Sequence, residues 1–295
     1  MRAEPVIVVQ GGAGKRKSGL KSALRGVVRA AEVGYQTLKR GGTALDAVTQ
    51  AVVEMEDNPI FNAGRGSALN LEGEAEMDAS IMDSDLRFGA VAVIRKVKNP
   101  ILVARMVMEE TDHILLAGDG ALRLARKRGF EEFDPITTKR RQQWERMRRV
   151  PHHYFRKLKR FLTEYGTVGA IALDGQGKLA AATSSGGIVL RLPGRIGDSA
   201  IIGGGTYCNK LGAASATGHG EEIARLLLSQ YAVRLLRRYR PRDAVDRTIR
   251  LATRGSCACG IILLKRDGDF AIGENTGYLA WAAIKSGNLS YNTSA

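Results

Sequence analysis

Cysteine is scarce in this chain. Cys208, Cys257 and Cys259 are too few for a disulfide framework in 295 residues. Cys257 and Cys259 are separated by one residue, and no second pair or histidine cluster supplies the other ligands of a zinc site. They read as small buried residues near strands. Long apolar runs are also missing, which excludes a membrane-spanning helix. The opening M-R-A-E-P-V-I-V-V-Q-G-G-A-G has too short an apolar stretch for a signal peptide and no cleavage pattern after it. A cytoplasmic protein is therefore expected, in which the sequons at Asn288 and Asn292 carry no meaning. Proline is low at 7 residues while glycine is high at 35, and the glycines fall in tight motifs rather than a low-complexity tract. Such a distribution points to backbone turns built around sites.

Acidic residues are in deficit: 30 Asp and Glu face 45 Lys and Arg, a net charge of +15. A balance of this kind can signal nucleic acid. The excess is concentrated in two places. One runs from Lys139 to Arg160; the other carries Arg234, Arg237, Arg238, Arg240, Arg242, Arg247, Arg250 and Arg254. The second lies on helix-like sequence whose Val233, Leu235, Leu236, Val245, Ile249 and Leu251 can face a core, so its arginines read as a solvated face. The first reads as a basic, partly mobile linker over 130–165, with little apolar periodicity. The apolar fraction of 44% and charged fraction of 25% are ordinary for a globular protein. The length suits one large domain or two modest ones.

Val6 to Val9 reads as a short strand ended by Gly11-Gly12-Ala13-Gly14, whose spacing matches neither of the common phosphate-binding loops. Leu20, Leu24, Val27, Val28, Ala31, Val33 and Leu38 have helical spacing and stop at Gly41-Gly42. Thr43 can cap the next helix, which carries Leu45, Val48, Ala51, Val52 and Met55. The pair should pack on a sheet. Glu56 to Gly66 is an irregular loop with oxygen ligands suited to a hard cation, or a plain turn. Glu74–Met82 and Phe88–Val93 read as a hairpin, Pro100–Met108 as a helix, Ile114–Ala117 as a strand and Gly118–Lys127 as a helix. Further strands are expected over Gly260–Lys265, Asp269–Ile272 and Tyr278–Ile284.

The stretch from Gly166 to Gly187 organises the rest. Thr167 sits between glycines at the mouth of an apolar run, followed by a D-G-Q-G turn and a second run, Leu179 to Thr183. A hydroxyl at the start of a buried strand is held rigidly, as a reacting group must be; the plain alternative is a threonine that merely begins a strand. Arg195 and Asp198, three apart around Gly197, can clamp an amino acid, the guanidinium taking the α-carboxylate and the carboxylate the α-ammonium. A structural ion pair within a loop is the alternative. Thr217 and Gly218, in A-T-G-H-G-E, read as the opening of a long helix running to about Arg240, placed to hold a developing oxyanion or simply to cap that helix.

Four motifs occur in order: Gly166-Thr167-Val168-Gly169-Ala170, Thr183-Ser184-Ser185-Gly186-Gly187, Pro193-Gly194-Arg195-Ile196-Gly197-Asp198-Ser199 and Thr217-Gly218-His219-Gly220-Glu221. Upstream stand Gly11-Gly12-Ala13-Gly14, Asn58-Pro59-Ile60-Phe61-Asn62-Ala63-Gly64, Met77-Asp78-Ala79-Ser80-Ile81-Met82-Asp83 and Val97-Lys98-Asn99-Pro100. Over nearly its whole length the chain resembles the plant-type L-asparaginase and isoaspartyl peptidase family of N-terminal nucleophile hydrolases. Glu221 fits the asparaginase branch. Gln10 stands where that family often has histidine, and Ser185 where it usually has a second threonine.

The resemblance implies an α+β fold, a four-layer αββα sandwich, formed by one domain over 1–295 that severs itself before Thr167 into parts 1–166 and 167–295. Attack of the Thr167 hydroxyl on the preceding carbonyl shifts the acyl group from nitrogen to oxygen, and water releases it; Gly166 permits the approach. The new α-amine, with an ordinary pKa of roughly 7.7–8.0, can then serve as base for its own hydroxyl. The resemblance further implies Thr167 as nucleophile with Ser185 beside it, Arg195 and Asp198 as substrate clamp, and Thr217 and Gly218 as oxyanion hole. Gly220 is expected as a backbone contact by the leaving amide, and Asn62 and Gly11 as supporting residues. The backbone of Met55, Glu56, Asn58, Phe61, Ala63 and Arg65 corresponds to a loop that binds a structural sodium ion in family members. No cofactor is expected in catalysis. L-asparagine and β-aspartyl dipeptides are the expected substrates, reacting through a β-aspartyl-enzyme, and a dimer of αβ units, a heterotetramer of the cut chains, is the expected assembly. No membrane or nucleic-acid partner is expected; a basic nucleic-acid-binding protein on an inactive hydrolase fold is the alternative.

Overall fold

The computed structural model describes residues 3–14, 19–149 and 166–292. Two sheets carry the chain. The larger has eight strands: β1 (Val6–Ala13), β2 (Met77–Asp83), β3 (Phe88–Ile94), β4 (Leu115–Ala117), β5 (Val168–Leu173), β6 (Leu179–Ser185), β11 (Leu279–Lys285) and β12 (Asn288–Tyr291). Their order is β12-β11-β1-β5-β6-β2-β3-β4, antiparallel except where β4 joins β3. The smaller sheet runs β10-β9-β8-β7 through β7 (Thr206–Asn209), β8 (Gly212–Gly218), β9 (Cys259–Lys265) and β10 (Phe270–Glu274).

Strand alternation assigns each residue of the central strands to one of two cores. Ile7, Val9, Ala170 and Ala172 pack with helices α1 (Leu20–Lys39), α2 (Ala44–Asp57) and α3 (Pro100–Glu110). Val6, Val8, Ile171 and Leu173 pack with Ile262 and Leu264 of the smaller sheet. The other face of β9, Ile261 and Leu263, packs with α6 (Gly220–Leu226), α7 (Leu228–Leu235) and α8 (Pro241–Arg254). A strand buried on both faces reads as a continuous apolar run, which is why β1, β5 and β9 were visible in the sequence. Thr43 caps α2 as expected, in a reciprocal box with Asp46. Arg234, Arg237, Arg238, Arg240, Arg242, Arg247, Arg250 and Arg254 are all exposed on α7, α8 and their junction, over buried Val233, Leu236 and Val245. Among the described residues no helix is long and apolar enough to cross a membrane.

Several elements differ from expectation. The first strand does not stop at Gly11 but continues through a bulge to Ala13, which pairs with Leu279 of β11. The segment expected as a linker contains α4's successor, α5 (Thr138–Arg148), following α4 (Gly118–Lys127). One aromatic anchors α5: buried Trp144 donates from Nε1 to the Asn70 carbonyl at 2.8 Å, and the Arg148 guanidinium lies 4.5 Å from its ring centre. A single anchor leaves no apolar period to read. The rest of that expectation, 150–165, lies outside the described residues. The helix expected from Ala216 to Arg240 is instead the end of β8 followed by α6 and α7, separated by Leu227 in the left-handed region at φ 45°. Strands β7 and β12 were not anticipated.

Candidate active site

Thr167 immediately precedes β5 and is buried. Its hydroxyl donates to Ser185 Oγ on the neighbouring strand β6 at 3.0 Å, and Ser185 Oγ also accepts from the Gly187 amide at 3.0 Å. Ser185 therefore orients the Thr167 oxygen. Ser185→Ala removes that acceptor; because a buried hydroxyl left without its partner costs about 1–3 kcal/mol, kcat is expected to fall roughly 10- to 100-fold while the fold persists, measured by steady-state kinetics and thermal melts.

Asn62 frames the residue before Thr167. Its amide donates to the Gly166 carbonyl at 3.2 Å, its Nδ2 to the Gly187 carbonyl at 2.6 Å, and its Oδ1 accepts from the Ala68 amide at 2.7 Å. A Cβ on Gly166 would lie 2.4 Å from Asn62 Cβ, so only glycine fits at that position. Gly11 acts one step further out: the ring of Phe61 fills the place of its missing side chain, 2.5 Å from where a Cβ would stand, and so seats the loop that carries Asn62.

The smaller sheet supplies the opposite wall. Gly169, two residues after Thr167, lies under Ser215, two residues before Thr217; a Cβ on Gly169 would collide with Ser215 Oγ. The start of β5 and the end of β8 therefore meet at one end of the sheet pair. Thr217 is not a helix cap. It is the penultimate residue of a strand, wholly buried, with no partner for Oγ1 among the described residues. Gly218 follows at φ +139°, where an added Cβ would clash with the Ala258 carbonyl.

Arg195 and Asp198 are both largely buried, and they do not form the loop ion pair offered as the alternative. Arg195 Nε instead donates to Glu221 Oε1 at 2.8 Å, and Nη2 has no partner among the described residues. Asp198 Oδ2 is likewise unpartnered. Burial pushes the Asp198 carboxyl up to about 7, against the pull of the Arg195 charge. Gly220 makes room between them: a Cβ there would stand 2.7 Å from Arg195 Nη2 and 2.8 Å from Asp198 Oδ1. The loop itself is held by two carboxylates that sequence reasoning missed. Gly194 donates its amide to Glu76 Oε2 at 3.1 Å, and Gly197 donates to Asp78 Oδ2 at 2.9 Å. Also missed was a run of buried hydroxyls: Ser80 donates to the Ser199 carbonyl and to Thr206, Thr206 donates to Thr183, and Thr183 lies 2.8 Å from Ser215. It ties the Asp198 turn, the Ser185 strand and the Thr217 strand together. Hydroxyls between small residues carry no signal of that joint until the sheets are stacked.

The loop after α2 is closed on itself. The carbonyls of Met55, Asn58 and Glu56 accept from the amides of Asn58, Phe61 and Arg65, while those of Phe61, Ala63 and Arg65 accept none among the described residues. The Glu56 side chain is buried beside Ser184, accepting its hydroxyl at 2.6 Å, and burial raises its carboxyl to about 8. No cluster of three or more His, Cys, Asp or Glu side chains among the described residues is placed to hold a metal ion.

A family model described as Asparaginase matches residues 3–293. The chain belongs to the asparaginase family. Within it, a plant-type L-asparaginase of Thermococcus kodakarensis is 46% identical over 297 residues, covering 95% of this chain and 96% of that protein. One from Pyrococcus furiosus is 44% identical with the same coverage. An isoaspartyl peptidase/L-asparaginase of Xenopus laevis is 42% identical, covering 97% of this chain and 94% of that protein. The mixed α+β architecture with two sheets agrees with the fold that membership implies.

Proposed function

We propose that this protein is a self-processing threonine amidohydrolase. It hydrolyses L-asparagine to L-aspartate and ammonia and cleaves β-aspartyl dipeptides, through a β-aspartyl ester on Thr167. The observation that carries this reading is a set of buried polar atoms without partners among the described residues: Arg195 Nη2, Asp198 Oδ2 and Thr217 Oγ1. A buried polar atom without a partner is costly, and a bound ligand can supply the missing partner. An α-carboxylate satisfies the guanidinium and an α-ammonium the carboxylate. In this reading the side-chain carbonyl of the substrate lies between Thr167 and Thr217.

In the uncut chain, the Gly166 carbonyl is the electrophile. The Asn62 amide donates to it and would stabilise the charge that develops on its oxygen. Transfer of the acyl group to the Thr167 hydroxyl and hydrolysis of the ester leave Gly166 as a carboxylate and Thr167 as a free amine. That amine takes the proton from the Thr167 hydroxyl as it attacks substrate. Thr217 Oγ1 and the Gly218 amide support the oxyanion, ammonia or an amine leaves with the proton that the Thr167 amine took up, and water attacks the ester to release the aspartyl product. Gly220 borders the same space. A sodium ion would fit against the carbonyls of Phe61, Ala63 and Arg65 and would stiffen the Asn62 loop, with no part in the chemistry.

The test is direct. Intact mass of aged protein should show two pieces divided before Thr167, and this material should release ammonia from L-asparagine and aspartate from a β-aspartyl dipeptide. Uncut protein that is inactive on both compounds would refute the reading.

A further inference from the structure

We propose that Glu221 is the positioning residue that aims the Arg195 guanidinium at the α-carboxylate of the substrate. The inference rests on the reading of Arg195 as the carboxylate half of the clamp. Arginine has a long side chain with much rotamer freedom, and a planar head that recognises a carboxylate only when correctly turned. Here one donor of the head is already occupied. Nε donates to Glu221 Oε1 at 2.8 Å, while Nη2 is buried and unpartnered among the described residues. The Arg195 side chain is 15% exposed and that of Glu221 40%, so the pair lies where the site meets solvent, with the arginine inside.

The chain brings the two together over 26 residues: Arg195 comes from the loop after β6, and Glu221 from the first turn of α6. Gly220, immediately before Glu221, is the residue whose missing side chain leaves space between Arg195 Nη2 and Asp198 Oδ1. A single turn, Gly220-Glu221, thus opens the ligand space and fixes the guanidinium that faces it. The electrostatics run both ways. Burial works against the charge on Arg195, and Glu221 restores it; Arg195 in turn holds the Glu221 carboxyl below its ordinary range although burial opposes this. Ordering the guanidinium before substrate arrives removes that cost from binding.

A positioning role and a competing role make opposite predictions. If Glu221 aims Arg195, its loss weakens carboxylate binding; if it competes for the guanidinium, its loss strengthens it. The experiment compares wild type, Glu221→Ala and Glu221→Gln as full-length, self-cleaved protein. The substrates are L-asparagine and its α-carboxamide analogue, which lacks the carboxylate. Glu221→Ala is expected to raise KM for L-asparagine by about tenfold or more with kcat changed less than about threefold. The preference for asparagine over the analogue should shrink by the same factor. Glu221→Gln, which keeps an acceptor for Nε, should recover most of the loss. Self-cleavage should be complete in both variants, because that step uses no external carboxylate. An unchanged or lowered KM, an undiminished preference for the carboxylate, or a Glu221→Ala chain that stays uncut would overturn the proposal. A cleaved wild type that is inactive on asparagine would overturn the proposed function as well; an active wild type with an indifferent Glu221→Ala overturns only this inference.

Discussion

Thr167→Ala is expected to remain one polypeptide on a denaturing gel and to release no ammonia from asparagine. Both losses follow from one missing oxygen. Without the hydroxyl there is no attack on the Gly166 carbonyl, so the free amine never forms; without the amine and the hydroxyl there is neither base nor nucleophile. Turnover should fall by about 10⁴-fold or more, in the range seen when a covalent nucleophile is removed. The fold should survive, because Thr167 precedes β5 and contributes no methylene to either core, and Val168 to Leu173 keep their ladder. Thr167→Ser is expected to cleave and turn over slowly: it keeps the oxygen but loses the β-methyl that restricts its rotamer. Intact mass and ammonia release measured on the same samples decide the matter. A cleaved and active Thr167→Ala would end the proposal.

Asp198→Asn is expected to raise KM for asparagine by two to three orders of magnitude, on the order of 3–4 kcal/mol, with a smaller effect on kcat. The neutral amide cannot pair with the α-ammonium. The pH dependence gives the second arm. In the free protein the Asp198 carboxyl titrates at about 7, because burial outweighs the neighbouring arginine. Only its ionised form binds an ammonium, so KM of the wild type should climb as pH drops below about 7, approaching tenfold per unit. Asp198→Asn should lose that climb in KM while kcat keeps the acid limb set by the Thr167 amine.

Stability should move the other way. A carboxyl whose folded value lies above its unfolded one binds more protons in the native state, so stability is full below the unfolded value of 3.8 and declines as pH rises towards about 7. Asn carries no such penalty, and Asp198→Asn should melt higher than wild type at pH 8, by a margin on the order of a few kcal/mol. A variant that is both less stable at pH 8 and unchanged in KM would show that Asp198 serves the loop and not the substrate. Function maintained at the expense of stability is common where charged groups are kept buried for a ligand.

The proposed reacting residues were legible through ordered motifs that resemble those of a known family. Taken alone, a threonine bracketed by glycines can merely begin a strand, and an arginine and aspartate around one glycine can be a loop ion pair. The groups that aim them were not legible. Glu76 and Asp78 hold the amides of Gly194 and Gly197 from more than a hundred positions away, and the Ser80, Thr206, Thr183 and Ser215 hydroxyls meet only where two sheets stack. The smaller sheet was half hidden for a related reason. Strand β8, G-A-A-S-A-T-G, has almost no β-branched or aromatic residue, and its small side chains suit the closest approach of the sheets instead. Read as the approach to a helix, it made Thr217 a cap; as a strand, it makes Thr217 a wall of the site.

By itself, the sequence determined the central strands and the helix pair that covers them, because apolar periodicity and turn residues act over a few neighbours. The tertiary structure alone decided what each polar group faces. It paired Arg195 with Glu221 rather than Asp198, left Asp198 Oδ2 without a partner among the described residues, and set Gly169, two residues after Thr167, against Ser215, two residues before Thr217. Those choices depend on which strands lie against each other and at what register, and long-range packing, not local propensity, settles that.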